Sequence, residues 1–120
     1  MDTNGANKRF ANAVRLMRSD DLGRREDGFD FLREHADSYV DELIAEFAVV
    51  EREQDDIGLR RWLLELIAEA RAPQALPVLA SQLRSEDESL RLWAVRGIEM
   101  LDTREAEQEL ERARAGGWLG

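Results

Sequence analysis

The chain has no cysteine, two prolines and a single histidine in 120 residues. Lacking thiols, it cannot form disulfides, offer a thiolate nucleophile or build a Cys-based zinc or iron–sulfur site, and a reducing compartment suits it. No apolar run approaches the roughly 20 residues needed to span a bilayer. The segment Met1 to Phe10 has neither the apolar core nor the small-residue cleavage site of a signal peptide. The expectation is therefore a cytoplasmic protein that does not meet the membrane. Strand signals are scarce too: alternating apolar runs, and Asn-Gly turns between such runs, are missing, which points to an all-α fold class.

What is present is apolar enough to fold. A hydrophobic fraction of 43% beside a charged fraction of 36% separates the chain from disordered sequences, and 120 residues suit one domain. The net charge of −9 is uneven: residues 1–33 carry seven basic against six acidic side chains, residues 34–120 ten against twenty. An acidic field repels phosphate backbones and speeds encounter with basic proteins, so nucleic acid is disfavoured as a partner and a basic protein surface is favoured. Arginine outnumbers lysine sixteen to one, a bias common in GC-rich bacterial genomes.

Apolar residues spaced i, i+3, i+4, i+7 recur along most of the chain and predict seven helices. After a flexible lead over 1–6, a first helix over Asn7–Arg18 presents Phe10, Ala13, Val14 and Met17. A second, over Leu22–Glu34, presents Phe29 and Leu32 but contains Gly23 and Gly28, each worth up to about 1 kcal/mol against Ala in a helix interior. Ser38 with Asp41 predicts a shortened capping box for a third helix carrying Val40, Leu43, Ile44 and Phe47 up to Val50. Asp55 or Asp56 is placed to cap a fourth, Ile57–Ala70, whose Leu59, Trp62, Leu63, Leu66 and Ile67 cover so much of its circumference that it should be central.

Pro73 and Pro77 bracket the start of a fifth helix, where a missing N–H is tolerated, with Ala75, Leu76, Leu79 and Leu83 on its stripe. Ser85 and Glu88 fit a capping box for a sixth, through Leu90, Trp93, Ala94, Ile98 and Leu101. Asp102 and Thr103 cap a seventh, with Ala106, Leu110 and Ala113 inward, and in the tail 116–120 Trp118 is placed to fold back on the last hairpin.

Leu59-Arg60-Arg61-Trp62 and Leu90-Arg91-Leu92-Trp93 match 31 residues apart, and the same offset pairs Ile67 with Ile98, Ala75 with Ala106 and Leu79 with Leu110. An offset of 35 pairs Leu32 with Ile67 and Ile44 with Leu79, a fainter third copy. Periods of this size mark stacked hairpins that hide their apolar faces only against one another. The run Ala75-Leu76-Pro77-Val78-Leu79, followed by Ser85-Glu86-Asp87-Glu88-Ser89-Leu90-Arg91, resembles the HEAT repeat family. The match covers residues 55–115 well and 20–50 weakly. It implies a short right-handed α-solenoid of about three hairpins, over 20–50, 55–84 and 85–115, behind an N-terminal capping helix over 7–18. HEAT-like proteins mostly bind other proteins; related stacks bind DNA, as the DNA-alkylation-repeat proteins do, or act as lyases in pigment attachment.

Chemistry-bearing residues are few. His35 lies at a helix end, where a cation is mildly favoured, and no nucleophile or pocket is suggested beside it. Acidic runs such as Asp20-Asp21, Asp55-Asp56 and Glu86-Asp87-Glu88 lack an EF-hand loop or a Glu-x-x-His pair, and read as caps and solvated faces. No catalytic residue, metal site or cofactor is expected. Arg60, Arg61, Arg91 and Arg96 are the best candidates for a basic footprint, yet arginines in stacked hairpins more often pair with a neighbouring repeat's acid. Trp62 and Trp93 read as packing.

In a curved stack of this kind the second helix of each hairpin lines the concave face. Off the apolar stripes these helices carry Asp41, Glu42, Ala45 and Glu46; Gln74, Val78, Ser81 and Gln82; and Glu105, Gln108, Glu109 and Arg112. That is an acidic flank, a neutral centre and an acidic flank, suited to a basic protrusion on a partner protein. The sequence therefore supports an adaptor or inhibitor, and an immunity protein that neutralises a basic toxin domain is one role that fits.

Overall fold

A computed structural model describes residues 3–54 and 56–117, with side chains from Lys8 onward. The possible cap at Asp55 and the docking of Trp118 fall outside the described residues. Seven α-helices are present, and no strand occurs among the described residues: α1 Thr3–Met17, α2 Leu22–Glu34, α3 Val40–Glu53, α4 Ile57–Glu69, α5 Leu76–Ser81, α6 Glu88–Leu101 and α7 Arg104–Ala115. The expected stripes are the ones that turn inward: Phe10, Ala13, Val14, Met17, Leu32, Leu43, Phe47, Leu63, Leu66, Ile67, Leu79, Ile98 and Leu110 are all buried.

The helix starts repeat. Asp21, Asp56 and Asp87 are the N-caps of α2, α4 and α6, and each carboxylate accepts from the backbone N–H three residues on, that of Arg24, Leu59 or Leu90, at 2.9 Å. These aspartates stand at the same offsets, 35 and 31, as the sequence repeat.

Local departures from the predicted starts have physical causes. The first helix opens at Thr3, through Asn4 and Gly5, poor helix formers that mask its first turn in the pattern. Ser38 does not cap α3: burial of Ala36 and Tyr39 draws the chain through a 3-10 turn over Ala36–Ser38, and Tyr39 becomes an N-cap without a side-chain bond. Ser85 does not cap α6 either. Its hydroxyl accepts from the Asp87 N–H at 3.1 Å and shapes the turn that presents Asp87 as cap. Thr103 caps α7 as expected, bonding the Ala106 N–H at 3.1 Å, while Asp102 ends α6 in the left-handed region. The fifth helix is short, because a 3-10 turn over Pro73–Ala75 precedes it and turns through Gln82 to Ser85 follow.

The molecule measures 43 × 32 × 21 Å, and its thin dimension is about two helix diameters. Helices α2, α4 and α6 form one row, α4 touching both others; α1 packs on α2, α3 on α4, and α5 and α7 on α6. Central α4 explains its own composition, since Leu63, Leu64, Leu66 and Ile67 are fully buried against neighbours on several sides.

Two glycines set the closest approaches. A Cβ on Gly28 would collide with the Ala13 carbonyl oxygen, so α1 and α2 cross there on bare backbone. A Cβ on Gly97 would lie 2.9 Å from both Ala68 Cβ and Leu79 Cδ2, where α6 meets α4 and α5. The glycine that weakened the sequence reading of α2 is the residue that lets it pack. Gly28→Ala and Gly97→Ala should each destabilise the chain by about 1–3 kcal/mol despite the better helix propensity of Ala. Gly58→Ala, whose Cβ would meet only Asp56 Oδ1 at 3.6 Å, should be close to neutral. Urea denaturation of the three variants checks this, and equal midpoints would refute it.

Candidate functional site

The polar links between helices decide which charged groups remain available. Just past α1, Arg18 Nη2 donates to Glu46 Oε2 at 2.6 Å, and its Nη1 lies 3.6 Å from Glu53 Oε2, tying α1 to α3. The Phe10 and Tyr39 rings, 5.6 Å apart, make a second tie. Gln82 Nε2 donates to Glu51 Oε2 at 2.7 Å, linking the end of α5 to that of α3. In the row of α2, α4 and α6, Phe29 stacks on Trp62 at 4.7 Å, Arg33 Nε lies 3.4 Å from Glu69, and Arg61 reaches both carboxylate oxygens of Asp87 at 3.2 and 2.5 Å.

Of the residues expected on a partner-binding face, Asp41, Gln74, Ser81, Glu105, Gln108 and Arg112 are exposed, and Glu42, Glu46, Val78 and Glu109 are half-buried. Gln82 is buried, 5% exposed, with its amide held by Glu51 and Ser81, so it is a link between helices and offers no surface to a partner. Glu46 is taken by Arg18, and Glu109 accepts from Arg112 at 2.6 Å. Asp41, Glu42 and Glu105 make no hydrogen bond or ion pair with another described residue. They stand in the first turns of α3 and α7, where the helix dipole favours a carboxylate.

The candidate basic footprint is dispersed. Arg61 holds Asp87, joining α4 to the start of α6; Arg91 Nη1 donates to the Ser85 carbonyl at 2.6 Å; Arg96 lies 5.4 Å from the Trp93 ring. Trp62 packs between α2 and α4, in agreement with its reading as packing. His35 is exposed at the end of α2, its ring 4.8 Å from Phe31. No group of three or more His, Asp or Glu among the described residues is placed to hold a metal ion, and no helix is long and apolar enough to cross a membrane.

The sequence reading missed one recess of about 760 Å³, where Arg33, Arg71 and Arg96 surround Trp93 and Met100 beside Glu69 and Glu99. The i, i+3 pair Trp93 and Arg96 was visible, but nothing in the spacing brings Arg33 and Arg71 to it from other segments. No family model, curated protein or solved structure matches this chain. Its own residues therefore carry the functional argument.

Two carboxyls report on the packing with opposite signs. The Arg61 guanidinium, by hydrogen bond first, and the Leu90 N–H hold Asp87 below its ordinary value of 3.8. The stability this adds is fully present above the unfolded value and is lost as pH falls through the lower folded one. Asp87→Asn, which keeps a capping oxygen, should lower Tm at pH 7, with the deficit closing at acid pH as the native Asp87 protonates. Glu65 is pushed above its ordinary 4.5, first by burial and then by Glu69, with Arg33 opposing. A raised carboxyl destabilises the fold when ionised, so stability rises as pH falls through the folded value toward 4.5. Glu65→Gln should therefore raise Tm at pH 7 and leave it unchanged below about pH 4; thermal melts across this range decide both.

Proposed function

We propose that this chain is a HEAT-like helical stack that binds a protein bearing a basic surface, and that the carboxylates at the start of α3 and α7 guide and hold that partner. The observation that carries the reading is the division among the acidic side chains. Glu46, Glu51, Glu53 and Glu109 are engaged by Arg18, Gln82 or Arg112 within the fold, whereas Asp41, Glu42 and Glu105 are left to solvent or to a partner. Such carboxylates steer the encounter, and the exposed, uncharged Gln74 and Gln108 admit close contact.

The row of α2, α4 and α6, with its aspartate caps in repeat register, supports a short right-handed solenoid as the architecture. Protein binding is favoured over nucleic-acid binding because Arg61, Arg91 and Arg96, three of the four arginines of a candidate footprint, are engaged within the fold. No residue is assigned a catalytic role. Within the binding class, an inhibitor that covers the active site of a basic, nucleic-acid-directed toxin matches the charge, as an immunity protein would.

Asp41, Glu42 and Glu105 changed together to Lys should abolish capture of the basic partner from a lysate of the source cells. A control with Glu26, Asp27 and Asp30 of α2 changed to Lys makes the same change in net charge and should retain it. Each reversal in a first turn costs its helix about 0.3–1 kcal/mol, so melting curves accompany the assay. Equal capture by both variants, with both folded, would defeat the proposal.

A further inference from the structure

The recess beside Trp93 has no part in the acidic surface. At about 760 Å³ it has room for a whole small molecule, and it lies where α2, α4 and α6 end. Arg33 comes from the last turn of α2, Glu69 closes α4, Arg71 stands just past it, and Glu99 and Met100 belong to the last turn of α6. The repeat shows what sets this place apart. Trp62 and Trp93 hold the same register, but Phe29 stacks on Trp62 at 4.7 Å, whereas the residue of α4 that matches Phe29 is Leu64, which is fully buried. No ring of another described residue stacks on Trp93, and its half-buried indole joins the half-buried Met100 as the apolar part of the lining.

Most of the charge around this hollow is already answered within it. Arg33 Nε lies 3.4 Å from Glu69 Oε2, and Arg96 lies 5.4 Å from the Trp93 ring, whose face attracts a cation. That leaves Arg71 and Glu99. Both are exposed, and neither side chain makes a hydrogen bond or ion pair with another described residue. One cation and one anion therefore share the recess with an indole and a thioether, without pairing with each other.

We propose that this recess binds a free α-amino acid with a large apolar side chain, its carboxylate on Arg71, its ammonium on Glu99 and its side chain against Trp93 and Met100. A guanidinium fork matches a carboxylate, and a carboxylate accepts from an ammonium, so both unanswered charges are satisfied at once. A simple anion would leave Glu99 unmatched and would also meet the negative C-terminal ends of the helices, while a simple cation would leave Arg71 unmatched. A zwitterion carries no net charge and avoids both penalties. The flexible thioether of Met100 adapts to side chains of different shape. None of these residues belongs to the acidic surface proposed above, so either site can fail without the other.

The test is a titration of the whole chain with three probes: L-phenylalanine, L-phenylalaninamide, which lacks the carboxylate, and N-acetyl-L-phenylalanine, which lacks the ammonium. Binding is read from the indole N–H resonance that Trp93→Phe removes. L-phenylalanine should shift this resonance saturably, and each analogue should bind about tenfold more weakly. Arg71→Gln, which keeps a non-glycine residue at the same φ of 53°, should erase the preference over the amide and preserve the preference over the N-acetyl compound. Glu99→Gln should do the reverse. Both positions are exposed, so neither substitution should alter the melting curve. L-serine, with both charges but no apolar side chain, should bind more weakly than L-phenylalanine. Equal binding of the three phenylalanine probes, or preferences indifferent to both substitutions, overturn the site. Tighter binding of the N-acetyl compound, which mimics the end of a peptide, would overturn it in favour of a protein C-terminus.

Discussion

The burial of α4 between its neighbours is the constraint on which the remaining structure rests. Leu63, Leu64, Leu66 and Ile67 occupy four of five successive positions and all are fully buried, which is possible only with helices on several sides. That demand places α2 and α6 against α4 and calls for close approach, which Gly97 supplies by letting α6 settle against Ala68 and Leu79. The charged side chains are then left to the rims, where they join neighbouring helices in pairs.

These pairs matter less for bulk stability than for sorting the surface. Solvent-exposed ion pairs contribute little each, yet they decide which carboxylates and guanidiniums keep a free charge. Arg18 removes Glu46 and Glu53 from the acidic surface. Gln82 removes Glu51, and in doing so leaves Arg52 and Arg60 beside a carboxylate already engaged. The start of α3 thereby keeps open carboxylates, while the acids near its end are drawn into links between helices.

The helices were legible in the sequence because amphipathic spacing depends on each helix alone, and the aspartate caps of α2, α4 and α6 stand at the offsets of the sequence match. Leu63, Leu66 and Ile67 of α4 and the inward stripe of α7 follow from that pattern, whereas Leu64, buried through contacts on a further side, was not on the expected stripe and Trp62, which was, is half-buried. What sequence reasoning missed are the features set by contact across segments. Gly28 reads as a helix breaker until α1 lies across it, Ser38 and Ser85 read as caps until neighbouring residues displace them, and Gln82 reads as surface until it finds Glu51. The candidate surfaces were half visible. The acidic residues of α3 and α7 could be named, but which of them the fold itself neutralises depends on partners as distant in sequence as Arg18 is from Glu46.

Asp87 performs two tasks with one carboxylate, closing the first turn of α6 through the Leu90 N–H and gripping Arg61 on α4. Fraying at the start of α6 and loosening of its polar link to α4 are therefore joined through one side chain, so a single substitution there would be felt in both places.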